Sequence, residues 1–405
     1  MARLRFLGLA ALATLLVVVA AVATRADAAR DKGSATELTI WADGSIVKQM
    51  QQIGDAFTKK FGVGVNVQEV AFGDLRDKFI QNAPAGKGPD IIVGKHDVVG
   101  VLGGNGLLEP LTLTKKVAAG FVPSQVQAFT YNRRLYGLPY ASESVALYYN
   151  KTLVPKPPTT WAALKTMAKQ LQDSGKAKWG FAMLDTNAYF AYPIFTGFGG
   201  YVFGIRTTGS YNPKNVGLDN AGSIAAAREI RGMVTSGLLA KTMDYETSQT
   251  LFKSGQIGMM IDGPWSLPNI KASGVNFGIA IIPKMKGPAR PFIGTSGFML
   301  SAFSQNKLAA KQFLQTFVPT TSTMDMLYNS VPQPMAWKAT NAKIKDPQVK
   351  AFAASITNGR ATPAIPQMTG VWDAWTKAMA GLFNGQGDPA DLMKTAADTI
   401  RKQVG

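Results

Sequence analysis

Residues 37–61 read ELTIWADGSIVKQMQQIGDAFTKKF. Glu37 to Trp41 alternates polar and apolar side chains, the period-two pattern of a half-buried strand. Asp43-Gly44 breaks it. Over 46–61, Ile46, Met50, Ile53 and Phe57 then recur at helical spacing and form one apolar face. Val63-Gly-Val-Asn-Val-Gln reads as a second strand, 74–82 as a helix-like stretch, and Gly88-Pro-Asp-Ile-Ile-Val as a third strand. Strands alternating with helices predict βαβ units on a mostly parallel sheet, an α/β fold.

The pattern changes around 135–150, in LYGLPYASESVALYYNK, where two strand-like halves bracket Ala141-Ser-Glu143-Ser. That break looks like a passage from one domain to another. A proline-rich stretch, 152–160, leads to a helix starting at Trp161, with Thr159 or Thr160 as N-cap. Residues 219–237 and 246–254 read as helices, the run Met259 to Ile261 after Lys253-Ser-Gly255-Gln and 275–282 as strands, and 371–404 as a helical tail. Glycine-rich Pro291 to Phe298 is a second candidate passage.

A chain of 405 residues with 46% hydrophobic content supports two domains with large cores. Arg3 and Arg5, the apolar run Leu7 to Ala23 and Ala26-Asp27-Ala28 have the layout of a cleaved signal peptide over 1–28. The expected location is periplasmic. No cysteine is present, so no lipid anchor is expected. The net charge of +18 invites a nucleic-acid partner. The basic residues are scattered, however, as at Lys165, Lys169, Lys176 and Lys178, without a dense block. They read as solvated surface, with no nucleic acid bound.

The chemistry-bearing residues are defined first by absences. With one histidine, His96, and no cysteine, a zinc cluster is impossible and a nucleophilic triad would have to use His96. His96 beside Asp97 reads as a histidine hydrogen-bonded at a strand end. No phosphate-binding loop and no dinucleotide fingerprint is present, so no cofactor is expected. Aromatic side chains, in contrast, recur at breaks. Trp265 follows the strand in GMMIDGPWSLPNI, 258–270; Tyr189-Phe190 sits in TNAYFAYP before a proline; Trp372 opens the tail helix. Asp43, Asp97 and Glu143 lie near such breaks. In open α/β sheets the ligand crevice lies at the carboxyl ends of strands. Aromatic faces stack on the C–H face of a sugar ring and carboxylates accept its hydroxyls.

These residues carry a resemblance. ELTIWADG (37–44), GKGPDIIVGKHD (86–97), GLPYASESVALYYNKTLVPKPPTTW (137–161), VGLDNAG (216–222), MMIDGPW (259–265), PFIG (291–294) and IPQM (365–368) occur in order. In these segments the chain resembles the maltose/maltodextrin-binding proteins that feed bacterial ABC transporters. The resemblance implies a two-lobed periplasmic-binding-protein fold, the Venus flytrap, with three inter-lobe crossovers near 141–146, 293–298 and 343–350. The N-terminal lobe would comprise 37–141 and 298–343, and the C-terminal lobe 146–292 and 348–405. Function would be non-catalytic: a receptor delivering maltose, maltodextrin or a related α-glucoside such as trehalose to an ABC import permease. The implied partners are the oligosaccharide and the membrane permease subunits, with the receptor a monomer.

Carried over residue by residue, the stacking aromatics fall on Tyr189, Trp265 and Trp372, and the hydrogen-bonding acids on Asp97 and Glu143. Phe190 and Tyr245 match aromatic cleft positions, Asp43 a polar one, and Asp77 an outer acidic subsite. Asn187 stands where the family has an acid, and is retained as a ligand contact. Other departures are Gly94 for a tryptophan, Val98 and Thr376 for arginines, Ile46 for a lysine and Asp373 for a tyrosine. Two other functions use the same residues. Aromatics and carboxylates also make an ammonium box, which suits a polyamine receptor of the same fold. Asp97 and Glu143 could instead serve as the acid pair of a glycoside hydrolase.

Overall fold

A computed structural model describes residues 37–207 and 210–404. The expected signal peptide, 1–28, lies outside the described residues. The opening motif folds as its spacing dictates. Glu37–Ala42 is a strand and Val47–Phe61 a helix, with Ile46, Met50, Ile53 and Phe57 all buried. Phe57 anchors that face edge-on against Phe313 and Phe317.

Two main sheets organise the molecule. In the first, Glu37–Ala42 pairs in parallel with Gly64–Glu69 and with Ile91–Lys95. The long strand Phe292–Leu300 joins antiparallel to Ile91–Lys95 on one side and to Gly137–Glu143 on the other. The second sheet runs Phe277–Ala280, Ala146–Asn150, Ile257–Asp262, Trp179–Ala182, the last two parallel and the rest antiparallel. Two short antiparallel hairpins lie outside these sheets. The architecture is mixed α/β, with helices packed on both sheets. Among the described residues no helix is long and apolar enough to cross a membrane.

One segment departs from the sequence expectation. Within TNAYFAYP, Ala188 to Pro193 form no break but open helix Ala188–Gly197, in which every residue except Tyr189 is buried. A helix buried all round carries no amphipathic period, so its sequence hides it. The tail is helical, as expected, and consists of two helices, Met368–Phe383 and Pro389–Val404. Gly385 and Gly387 between them take φ of 74° and 63°, a conformation that other residues adopt at a cost and that ends the first helix. As expected, Thr160 caps the helix Trp161–Asp173, its side chain accepting from Ala163 N–H.

The two sheets bring their strand ends to one place. Ile91–Lys95 runs directly into His96 and Asp97, and Ile257–Asp262 into Gly263-Pro264-Trp265. Glu143 ends its strand in the first sheet, and three residues later Ala146 pairs with Asp262 in the second.

Candidate ligand-binding site

One side of this junction is aromatic. Asn187 caps helix Ala188–Gly197, its Oδ1 accepting from Tyr189 N–H at 3.0 Å, and so sets Tyr189 and Phe190 in the first turn. Trp265 stands in the turn Pro264–Ser266, and its indole folds back over Gly263 so closely that a Cβ there would overlap the ring. Ring centroids lie 6.4 Å apart for Tyr189–Trp265 and 5.9 Å for Phe190–Trp265. Phe292, fully buried at the start of its long strand, stacks on Tyr189 at 6.1 Å and meets Trp372 edge-on at 5.7 Å. Tyr189, Trp265 and Trp372 therefore belong to one aromatic group, and each keeps part of its surface open.

Asp262 supports Trp265 from below. It is 1% exposed, and its carboxylate accepts from Gly263 N–H at 2.7 Å, from Ser266 Oγ at 2.6 Å and from the Gln249 amide. Ser266 Oγ also hydrogen-bonds with the Tyr245 hydroxyl at 2.8 Å. Burial pushes the Asp262 carboxyl up to about 7 against the pull of these donors. Burial likewise raises the Tyr245 phenol to about 12, and the Asp262 charge adds to it.

The other side is charged. Glu143 is 5% exposed, and its Oε2 receives Lys95 Nζ at 2.6 Å. Lys95 also donates to Ser296 Oγ at 2.8 Å, its register partner across the sheet. Burial raises the Tyr189 phenol well above its ordinary value, and the negative charges of Glu143 and Asp97 raise it further. The same two causes act on Tyr140, through burial and the charges of Asp43 and Glu143. Asp43, Asp97 and Glu143 thus surround the junction. Asp97 also acts on Arg76, together with Asp77 and Asp373. Arg76 Nε donates to Asp77 Oδ1 at 2.7 Å, a pair exposed to solvent. Asp77 is therefore an exposed acid paired with its neighbour.

His96 is no part of any catalytic pair. It is 1% exposed, its Nδ1 accepts from Thr295 N–H at 3.1 Å, and its Nε2 lies 2.9 Å from Thr362 O, to which it donates. Both ring nitrogens are consumed by backbone, and burial lowers its pKa and holds it neutral.

The structure gathers Tyr189, Phe190, Tyr245, Trp265 and Trp372 on one side and Asp43, Asp97 and Glu143 on the other. Asn187 is exposed and holds the helix end. Asp43 caps its own turn, accepting from Ser45 N–H at 3.0 Å. Three residues escaped the sequence reading: Lys95, Phe292 and Asp262. Lys95 had a visible signal, a lone cation closing an apolar strand beside His96-Asp97.

The junction thus combines open strand ends, a half-open aromatic group and buried or nearby carboxylates. Residues 52–351 match the family described as bacterial extracellular solute-binding protein, and the chain belongs to that family. It is 29% identical to the galactooligosaccharide-binding protein of Bacillus subtilis over 93% of its own length and 91% of the relative's. It is 32% identical to the maltotriose-binding protein of Pyrococcus abyssi, over 74% of its length and 66% of the relative's. It is 29% identical to a maltooligosaccharide ABC transporter solute-binding lipoprotein of Streptococcus pneumoniae, over 98% and 96%. These relatives are solute-binding proteins, not enzymes.

Proposed function

We propose that the chain is an extracytoplasmic receptor for a neutral oligosaccharide, which it delivers to an ABC import permease. The aromatic group of Tyr189, Trp265 and Trp372 beside Asp97 and Glu143 carries this reading. It supplies stacking faces for successive rings and acceptors for their hydroxyls. The names of the relatives narrow the class to maltooligosaccharides or galactooligosaccharides. Maltose, maltodextrin or a related α-glucoside such as trehalose is the finer reading.

The polyamine alternative is disfavoured by one contact: Lys95 neutralises Glu143, the buried acid that an ammonium ligand would need. Three crossovers and closure of two lobes around the sugar complete the reading. It is supported by three places: the change of sheet between Glu143 and Ala146, the strand Phe292–Leu300, and the packing of helix Pro347–Asn358 against Phe277–Ala280. The receptor is proposed to be a periplasmic monomer.

Titration calorimetry with maltose, maltotriose, trehalose, galactotriose and spermidine, followed by product analysis, tests this. Micromolar binding of at least one sugar, recovered intact, is the expected result. Spermidine binding alone would sink the reading, and released monosaccharide would establish a hydrolase.

A further inference from the structure

We propose that Lys95 is a specificity-determining residue, which with Glu143 reads a pair of neighbouring hydroxyls and rejects cationic sugars. The proposal rests on the oligosaccharide reading above and goes beyond it. An ammonium has three protons. One of those on Lys95 goes to Glu143 Oε2 at 2.6 Å and one to Ser296 Oγ at 2.8 Å. The third has no partner among the described residues, and the side chain remains 26% exposed. Glu143 is in the same position as an acceptor. Its Oε2 is taken, while the strand partner facing it is Gly294, where an added Cβ would come within 3.2 Å of Oε1. Oε1 has no partner among the described residues, on a side chain that is 6% exposed.

One free donor and one free acceptor therefore stand on a single ion pair. Adjacent ring hydroxyls, one accepting and one donating, complement that arrangement. The Tyr189 ring is beside it, since its phenol responds to the Glu143 charge and its O–H donates to Phe292 O at 3.3 Å. The pair is also neutral as a unit. A protonated amino group seated on this pair would lose its hydration against the Lys95 ammonium, and the pair itself carries no net charge to compensate it.

The test measures dissociation constants for maltotriose, galactotriose and fully deacetylated chitotriose at pH 6, in wild type, Lys95→Met and Lys95→Arg. Wild type should bind at least one neutral trisaccharide and disfavour chitotriose. Lys95→Met should weaken the neutral ligand by about tenfold or more, the worth of one hydrogen bond to a charged group. It should also shift the ratio of the two affinities towards chitotriose, because Glu143 is left unpaired. Lys95→Arg, which keeps the charge, should hold the wild-type ratio. If the unpaired carboxylate prevents Lys95→Met from folding, the double variant Lys95→Met with Glu143→Gln removes both charges. It should lose neutral-sugar affinity without gaining chitotriose. A folded Lys95→Met or double variant with both affinities within twofold of wild type overturns the role of Lys95 and leaves the receptor function standing. A wild type that binds no oligosaccharide overturns both.

Discussion

His96 and Asp262 occupy matching places, one at the end of a strand in each sheet, and each is a buried titratable side chain. Their partners differ in kind. His96 is held by the backbone of Thr295 and Thr362, 199 and 266 residues away. Asp262 is held by its own neighbourhood: Gln249, Gly263 and Ser266. The first ties three distant segments together at the junction. The second is a local prop under Trp265 and, through Ser266, Tyr245. Burial moves the two pKa values in opposite directions, and in both cases it favours the neutral form.

The sharpest way to break this comparison is through pH. Asp262 titrates near 7 when folded, against an ordinary 3.8. Between these values the folded chain holds a proton that the unfolded chain has released. Stability from this group is therefore highest below about pH 4 and is lost as pH rises through 7, by up to about 4 kcal/mol. Asp262→Asn removes the slope. Gln249 can turn its amide to meet the new side chain, because its Oε1 has no partner at present. Thermal unfolding from pH 4 to 8 should show the variant gaining on wild type as pH rises. Parallel curves would mean that Asp262 stays charged throughout. His96 works in the opposite sense. The unfolded imidazole takes up its proton below about 6.5 while the buried one resists, so its contribution is lost on acidification.

His96→Ala tests the other half of the comparison. It leaves Thr295 N–H and Thr362 C=O without partners, at about 1–3 kcal/mol for each. Denaturant unfolding should show a loss of about 2–6 kcal/mol, with faster amide exchange at Thr295. A loss below about 1 kcal/mol would show that neighbouring strands hold the junction without it.

The aromatic side should respond in affinity instead. Trp265→Ala and Trp372→Ala each remove a half-open stacking face, and each should weaken sugar binding by about 1–3 kcal/mol. Wild-type tryptophan fluorescence should change on ligand addition. Two variants that bind normally would make these indoles core residues and misplace the site.

The two sides were unequally legible in the sequence, for the same reason that they differ in structure. Trp265, Trp372 and Tyr189 announce themselves locally, as aromatics next to the end of a strand or the start of a helix. The strand and helix of 37–61 were legible because their periods are short-range. Lys95 carried only the signal of a lone cation at a strand end, and its role needs Ser296, 201 residues away, to be brought beside it. Phe292 was read only as part of a glycine-rich passage, yet it is a buried ring that joins Tyr189 to Trp372. The helix under Tyr189 was missed because its burial on all sides erases the periodicity by which helices are read.

Asn187 gives the smallest effect and separates two roles that the sequence could not. Its alignment with a ligand-binding acid made it a candidate contact, while its geometry makes it an N-cap. The cap accounts for its side-chain oxygen, and the exposed amide remains available. Asn187→Ala should lower stability by about 1 kcal/mol, the usual loss when a good cap becomes alanine. Asn187→Asp should keep the cap, because aspartate accepts from the same N–H and its charge suits a helix N-terminus. If capping is the whole role, Asn187→Asp matches wild type in both melting temperature and sugar affinity. Any affinity loss in Asn187→Ala then reflects looser seating of Tyr189. If the amide also donates to the ligand, Asn187→Asp keeps its melting temperature but changes affinity, because a carboxylate has no proton to give at neutral pH. Calorimetry and thermal unfolding on the same two variants decide between these outcomes.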